Sequence, residues 1–202
     1  MTDSSFIEEL LNKSTFVDDD QSNSEAKFLR LREYAMEAER QRNSQHAHRA
    51  SQNALNNYAQ NGDLLKVKDI ISIGADVNED NSLCLRLSAR YGHLEVVKYL
   101  VEKGADFRVM NDDPLRWSSK EGHLEVVKYL IEKGADVHSD SDLSIRWSAR
   151  YGHLEVVKYL IQKGADFRVM FDDPLRWSSK EGHLEVVKYL ISIGADIHAL
   201  DR

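Results

Sequence analysis

Four histidines, His93, His123, His153 and His183, stand 30 residues apart, each directly after a glycine. Recurrent imidazoles raise the question of a metal, because histidine is the commonest metal ligand. Ligands of one zinc ion sit about 2 Å from it, whereas equivalent residues of stacked units lie roughly 10 Å apart, the packing distance of neighbouring helices. The four cannot share an ion and read as turn residues at helix starts. His46 and His48, two apart on a predicted helix, point in different directions. Cys84 is the single cysteine, which leaves no intrachain disulfide and no thiolate cluster; it reads as a small buried residue. No glycine-rich phosphate loop, nucleophile elbow or H-E-x-x-H is spelled, and carboxylates such as Asp112 and Asp113 read as helix caps. The pattern predicts no catalytic residue, no metal site and no cofactor. Trp117, Trp147 and Trp177 occupy one register position that Leu87 fills in an earlier unit. Tryptophan exchanging with leucine marks a packing position rather than a stacking ligand.

The elements that carry these residues are copies of one unit. DDPLRWSSKEGHLEVVKYLI is spelled at 112–131 and again at 172–191 without change. GHLEVVKYL opens at Gly92, Gly122, Gly152 and Gly182, with a weaker copy, GDLLKVKDI, at Gly62, and Gly-Ala-Asp keeps the same step at Gly74, Gly104, Gly134, Gly164 and Gly194. A fixed period of this size marks a solenoid whose units bury their apolar faces against one another. Within a unit, Asp113 and Pro114 supply an N-cap oxygen and a first-turn residue, so the first helix should run through LRWSSKE and stop at Gly122. In the second, Leu124, Val127, Leu130 and Ile131 share one face, Glu125, Lys128 and Glu132 the other, and Gly134 ends the helix in a left-handed conformation.

Helix, glycine-marked turn, and helix closing on Gly-Ala-Asp, with GHLEVVKYL opening the second helix, resembles the ankyrin repeat. LRWSSKEGHLEVVKYLIEKGADVH resembles in particular the ankyrin arrays of giant DNA viruses such as the mimiviruses. The resemblance implies a helix-turn-helix solenoid, all-α or nearly so, of about five 30-residue repeats. Two departures stand out. The family's Thr-Pro-Leu-His opening, whose histidine ties neighbouring loops, is replaced by Asp113-Pro114-Leu115-Arg116 and Asp173-Pro174-Leu175-Arg176, with Arg86 and Arg146 at that place in the other units. The period is also three residues shorter than the commoner 33-residue form of the family, which predicts hairpins shortened to tight loops.

Residues 1–23 are acidic, with Asp18, Asp19 and Asp20 in a run, and are expected to be a mobile N-terminal segment in which Ser5 to Glu8 spells a capping box. Residues 24–48 predict an N-terminal helix with Phe28, Leu31, Ala35 and Ala38 on its apolar stripe, a candidate cap for the array, which occupies 49–202. The net charge of -7 opposes nucleic acid or an anionic membrane as partner. Acids in MTDSSFIEELL where a signal peptide needs bases, and the lack of a membrane-length apolar run, predict an intracellular protein that is not secreted, acting in the host cytoplasm if viral.

The resemblance implies a non-enzymatic scaffold that binds a protein through loop tips and the concave helix face. There the pairs Arg90-Tyr91, Lys120-Glu121, Arg150-Tyr151 and Lys180-Glu181 precede the turns and form a column of four cations, suited to an acidic segment. Phe171 replaces Asn111 between near-identical units and reads as an interface anchor. The competing reading is a structural array that self-associates: the last unit keeps interior-type Val186, Tyr189 and Ile191, where a terminal unit normally needs a polar outer face.

Overall fold

From Gln21 to Asn61 no glycine or proline interrupts the chain, and a computed structural model, which describes residues 21–201, shows one α-helix over that whole span (α1, Gln21–Asn61). The helix predicted over 24–48 extends in both directions, to Gln21 and to Asn61, and the first residue able to end it is Gly62, which takes a φ of 73°. The Ser5–Glu8 capping box and the acidic run lie outside the described residues, as do the side chains of Phe28 and Leu31. Ala35 is half-buried, and Leu29, Tyr34 and Met36 are exposed. Internal contacts divide the chain into units Met1–Ala50 and Ser51–Arg202.

In the second unit the helices come in pairs. After α2 (Leu64–Ser72) follow α3 (Glu79–Arg90) with α4 (Leu94–Glu102), α5 (Val109–Lys120) with α6 (Leu124–Glu132), α7 (Ser139–Arg150) with α8 (Leu154–Gln162), and α9 (Val169–Lys180) with α10 (Leu184–Ser192); a 3₁₀ turn, Ile197–Asp201, follows. The described residues contain no β-strand, and the array is an all-α solenoid. The first helices pack in one row, α3 on α5 on α7 on α9, and each second helix packs on its own first helix. Small residues let the row close up: Ser88, Ala89, Ser118, Ser119, Ser148, Ala149 and Ser178 are fully buried. The hydroxyls of Ser88, Ser118, Ser148 and Ser178 donate to the carbonyls of Leu85, Leu115, Ile145 and Leu175 three residues back, so most of these buried polar atoms are paired. Between the rows lies one continuous core, a ladder of Leu85, Leu115, Ile145 and Leu175 against Leu100, Leu130, Leu160 and Leu190.

The shortened link between units runs into the first helix of each pair, whose second to fourth residues form a left-handed turn. Asp80–Ser82, Met110–Asp112, Asp140–Asp142 and Met170–Asp172 all have φ between 51° and 62°. Each such residue costs roughly 1–2 kcal/mol unless its side chain bonds locally, which is why Asp, Asn or Ser fills nine of the twelve positions. The turn aims its last side chain at the next unit: Ser82 Oγ, Asp112 Oδ1, Asp142 Oδ1 and Asp172 Oδ1 accept the backbone N–H of Asp106, Asp136, Asp166 and Asp196 at 2.9–3.3 Å. In the first repeat Gln52 makes the equivalent pair with the N–H and C=O of Asp76. Hydrogen bonds of this ladder replace those of a hairpin.

Asp113 therefore does not cap a helix. Its buried carboxylate accepts from Arg86 Nε at 2.5 Å and from Arg116 Nη2 at 2.9 Å. Arg116 continues to Asp140 at 2.5 Å, and Arg146 reaches Asp173 at 2.7 Å. Arg86, Arg116 and Arg146 thus tie neighbouring units in place of the expected histidine, whereas Arg176 pairs only with Asp173 of its own unit, at 3.8 Å.

Candidate partner-binding face

Each first helix ends in a cation, then meets a Gly-His turn, and this junction is where one unit is locked to the next. His93, His123 and His153 donate from Nε2 to the carbonyls of Gln60, Arg90 and Lys120 in the preceding unit, at 2.8, 2.9 and 2.8 Å. Those carbonyls lie at helix C-termini and lack helical partners, so each histidine satisfies an orphan acceptor. Burial holds His153 below its ordinary pKa and keeps it neutral, with Nε2 as donor. The imidazole also fills the space over the preceding glycine. A Cβ on Gly122 would lie 2.4 Å from His153 Nδ1, in a residue whose φ is already 81°. What read as turn histidines are inter-unit ties, and only the stacking register shows it.

The fixed turns set the cations in a row on aromatic rings. Arg90 lies over Trp117, Cζ 4.2 Å from the ring centroid; Arg150 lies over Trp177 at 3.9 Å. Lys120 Nζ stands 4.5 Å from Trp117, 5.4 Å from Trp147 and 5.2 Å from Tyr151, and Lys180 Nζ is 4.8 Å from Trp177. Trp117 and Trp147 lean on each other at 5.6 Å. The tryptophans are not core residues, as the leucine at position 87 suggested: all three are half-buried, because the small serine and alanine positions beside them close the row and leave the rings at its surface. Each cation–ring contact contributes roughly 0.5–2 kcal/mol and removes rotamer freedom from a long side chain in advance of any binding.

The carboxylates on this face are unevenly shared. Glu121 pairs with Arg90 at 3.7 Å and Glu181 with Arg150 at 3.4 Å. Tyr91 and Tyr151 are exposed beside the arginines. The structure thus brings together Arg90, Tyr91, Lys120, Glu121, Arg150, Tyr151, Lys180 and Glu181 around the three tryptophans. Phe171 does not share their end of the helix. It sits in the left-handed turn near the start of α9, while Lys180 is the last residue of that helix; the two are separated by roughly 13 Å of helix.

A family model described as ankyrin repeats in three copies matches residues 55–141 and 143–201. The chain belongs to the ankyrin-repeat family. Repeats of this family are generally protein–protein interaction modules. No curated protein matches the chain. Among the described residues of this ankyrin array and the helix before it, no helix is long and apolar enough to cross a membrane.

Cys84 is buried, its thiol donating to the Val77 carbonyl, and burial pushes its pKa up to about 12, which makes it a packing residue and a poor nucleophile. At the far end of the ankyrin array, Val186 is only 1% exposed and is not part of an open face. Its register position points into the core of its own repeat, as Val96, Val126 and Val156 do. The neighbouring position faces the next repeat: Val97, Val127 and Val157 are fully buried, while Val187 is half-buried. Leu184 at 58% and Ile191 at 38% are the exposed apolar residues of that helix, and Tyr189 is half-buried.

Proposed function

We propose that this array is a non-enzymatic scaffold that binds a protein partner on the face formed by Arg90, Lys120, Arg150 and Lys180 with Trp117, Trp147 and Trp177. The observation that carries the reading is the stacking of all four cations on half-buried tryptophans. A solvated charge needs no ring beneath it. A cation held on a ring is pre-ordered, so a partner carboxylate can pair with it at little further loss of entropy. Aromatic and arginine residues are also the types that dominate binding energy where they are centrally packed.

The reading is tested by selecting peptides from a random display library on the full chain and measuring their affinity for an Arg90→Glu, Arg150→Glu, Lys180→Glu variant. Binding should fall at least tenfold, and wild-type binding should weaken as salt rises, because opposed charges attract across a screened distance. Equal affinity for the variant would place the partner on another face.

A further inference from the structure

The row of cations is not uniform, and its alternation carries information about what lies on it. We propose, building on the binding face above, that the partner is an extended acidic segment with two carboxylates six residues apart, one over Lys120 and the other over Lys180.

Arg90 and Arg150 each have a carboxylate from the next repeat, Glu121 and Glu181. Lys120 and Lys180 have only rings: Trp117, Trp147 and Tyr151 around the first, Trp177 beside the second, with no carboxylate within ion-pair distance among the described residues. A ring face attracts an ammonium but offers it no acceptor for its N–H donors. A partner carboxylate arriving over either arginine meets Glu121 or Glu181 and is repelled; over either lysine it meets an unpaired ammonium. The same two-repeat alternation runs along the chain, where Tyr91 and Tyr151 follow the arginines and Glu121 and Glu181 follow the lysines. The demand for an acid therefore recurs every second repeat.

Two repeat steps span roughly 20 Å, taking about 10 Å for each helix-to-helix step. An extended chain rises about 3.3 Å per residue, so six residues cover the distance, and the even separation sends both side chains to the same face of the strand. A helix would need roughly 13 or 14 residues for the same span. The extended form suits the face better. Trp117 lies between Arg90 and Lys120 and Trp177 between Arg150 and Lys180, so cations cover the rings that an amphipathic helix would need as an apolar groove. What remains is a single file of charges.

The test uses random 15-residue peptides displayed on phage and selected on the full chain. Asp or Glu pairs separated by six should be enriched several-fold over pairs separated by four, five or seven. In synthetic versions of the selected peptides, moving one acid from six to four residues away should weaken binding at least tenfold. Tryptophan fluorescence reads this directly, since all three tryptophans of the chain lie on this face. Lys120→Met with Lys180→Met, which keeps the stem volume and removes only the charges, should abolish the spacing preference. Enrichment at 13 or 14 residues, or at no fixed spacing, would overturn the extended register while leaving the binding face intact. Selected peptides that bind the Lys→Met pair and the charge-reversed variant as tightly as the wild type would overturn both.

Discussion

Replacing Gly122 with alanine and replacing Gly182 with alanine are chemically the same change at two matched turns, yet they should differ several-fold in their effect on stability. The two glycines have φ of 81° and 80°. The left-handed penalty on alanine, roughly 1–2 kcal/mol, is shared, less about 0.4–1 kcal/mol from restricting the unfolded chain. Gly182 has nothing within 4 Å of an added Cβ, so its variant should lose about 1 kcal/mol. At Gly122 the Cβ would meet His153 Nδ1 at 2.4 Å, Cε1 at 2.7 Å and Cγ at 2.8 Å. The imidazole is held from behind by its bond to the Lys120 carbonyl, so it must either strain or let go. Overpacking of this kind costs roughly 1–3 kcal/mol, and a lost hydrogen bond about 0.5–1.5 kcal/mol more. Gly122→Ala should therefore be about 2–4 kcal/mol worse than Gly182→Ala. At about 2–4 °C per kcal/mol for a domain of this size, the two melting temperatures should differ by roughly 10 °C. Thermal and urea unfolding followed by circular dichroism measures this. In a His153→Ala background all three contacting atoms are gone, and Gly122→Ala should then cost no more than Gly182→Ala does in the wild type. Equal losses for the two single variants would show that the imidazole does not lock the repeats together.

Three further outcomes follow from burial. The folded-state pKa of His153 is lowered, so the unfolded chain binds the extra proton first and stability should fall as pH drops below about 6.5; His153→Gln should flatten that part of a melting-temperature profile between pH 7 and 5, and an unchanged slope would assign it to other groups. Val157→Lys buries a charge at a fully covered position and should cost about 3–5 kcal/mol, whereas Val187→Lys, at the matching half-buried position, should cost about 1 kcal/mol or less in urea titrations; comparable losses would contradict the assignment of that register to the neighbouring repeat. Phe171 is 76% exposed with a φ of 62°, so Phe171→Asn, the residue its twin carries at 111, should raise stability by about 0.5–1 kcal/mol; a drop in the melting temperature would mean the ring makes a stabilising contact.

Whatever repeats within one unit's length is legible along the chain. The 30-residue step, the glycine after each first helix, the apolar face of each second helix and the closing Gly-Ala-Asp are local patterns with local causes, and they led to an all-α solenoid and to its family. The same repetition exposed the cation column, because Arg90, Lys120, Arg150 and Lys180 share a register position. What each of those residues touches in the next unit depends on how the units pack. Asp113 followed by proline spells a cap, but the left-handed turn before it points the carboxylate at Arg86, 27 residues away. A glycine-histidine turn spells a helix start, but its imidazole serves a carbonyl in the preceding repeat. Trp117 spells a core residue, but it lies under Arg90 and Lys120 at the surface of the row. Val186 and Val187 are adjacent and alike in chemistry, and the direction in which each helix leans decides that one is core and the other faces the next repeat. Periodicity fixes which residues are equivalent; the rotation and separation between successive units fix which of them meet, and that geometry is set by packing across the interface rather than by any stretch of chain within it.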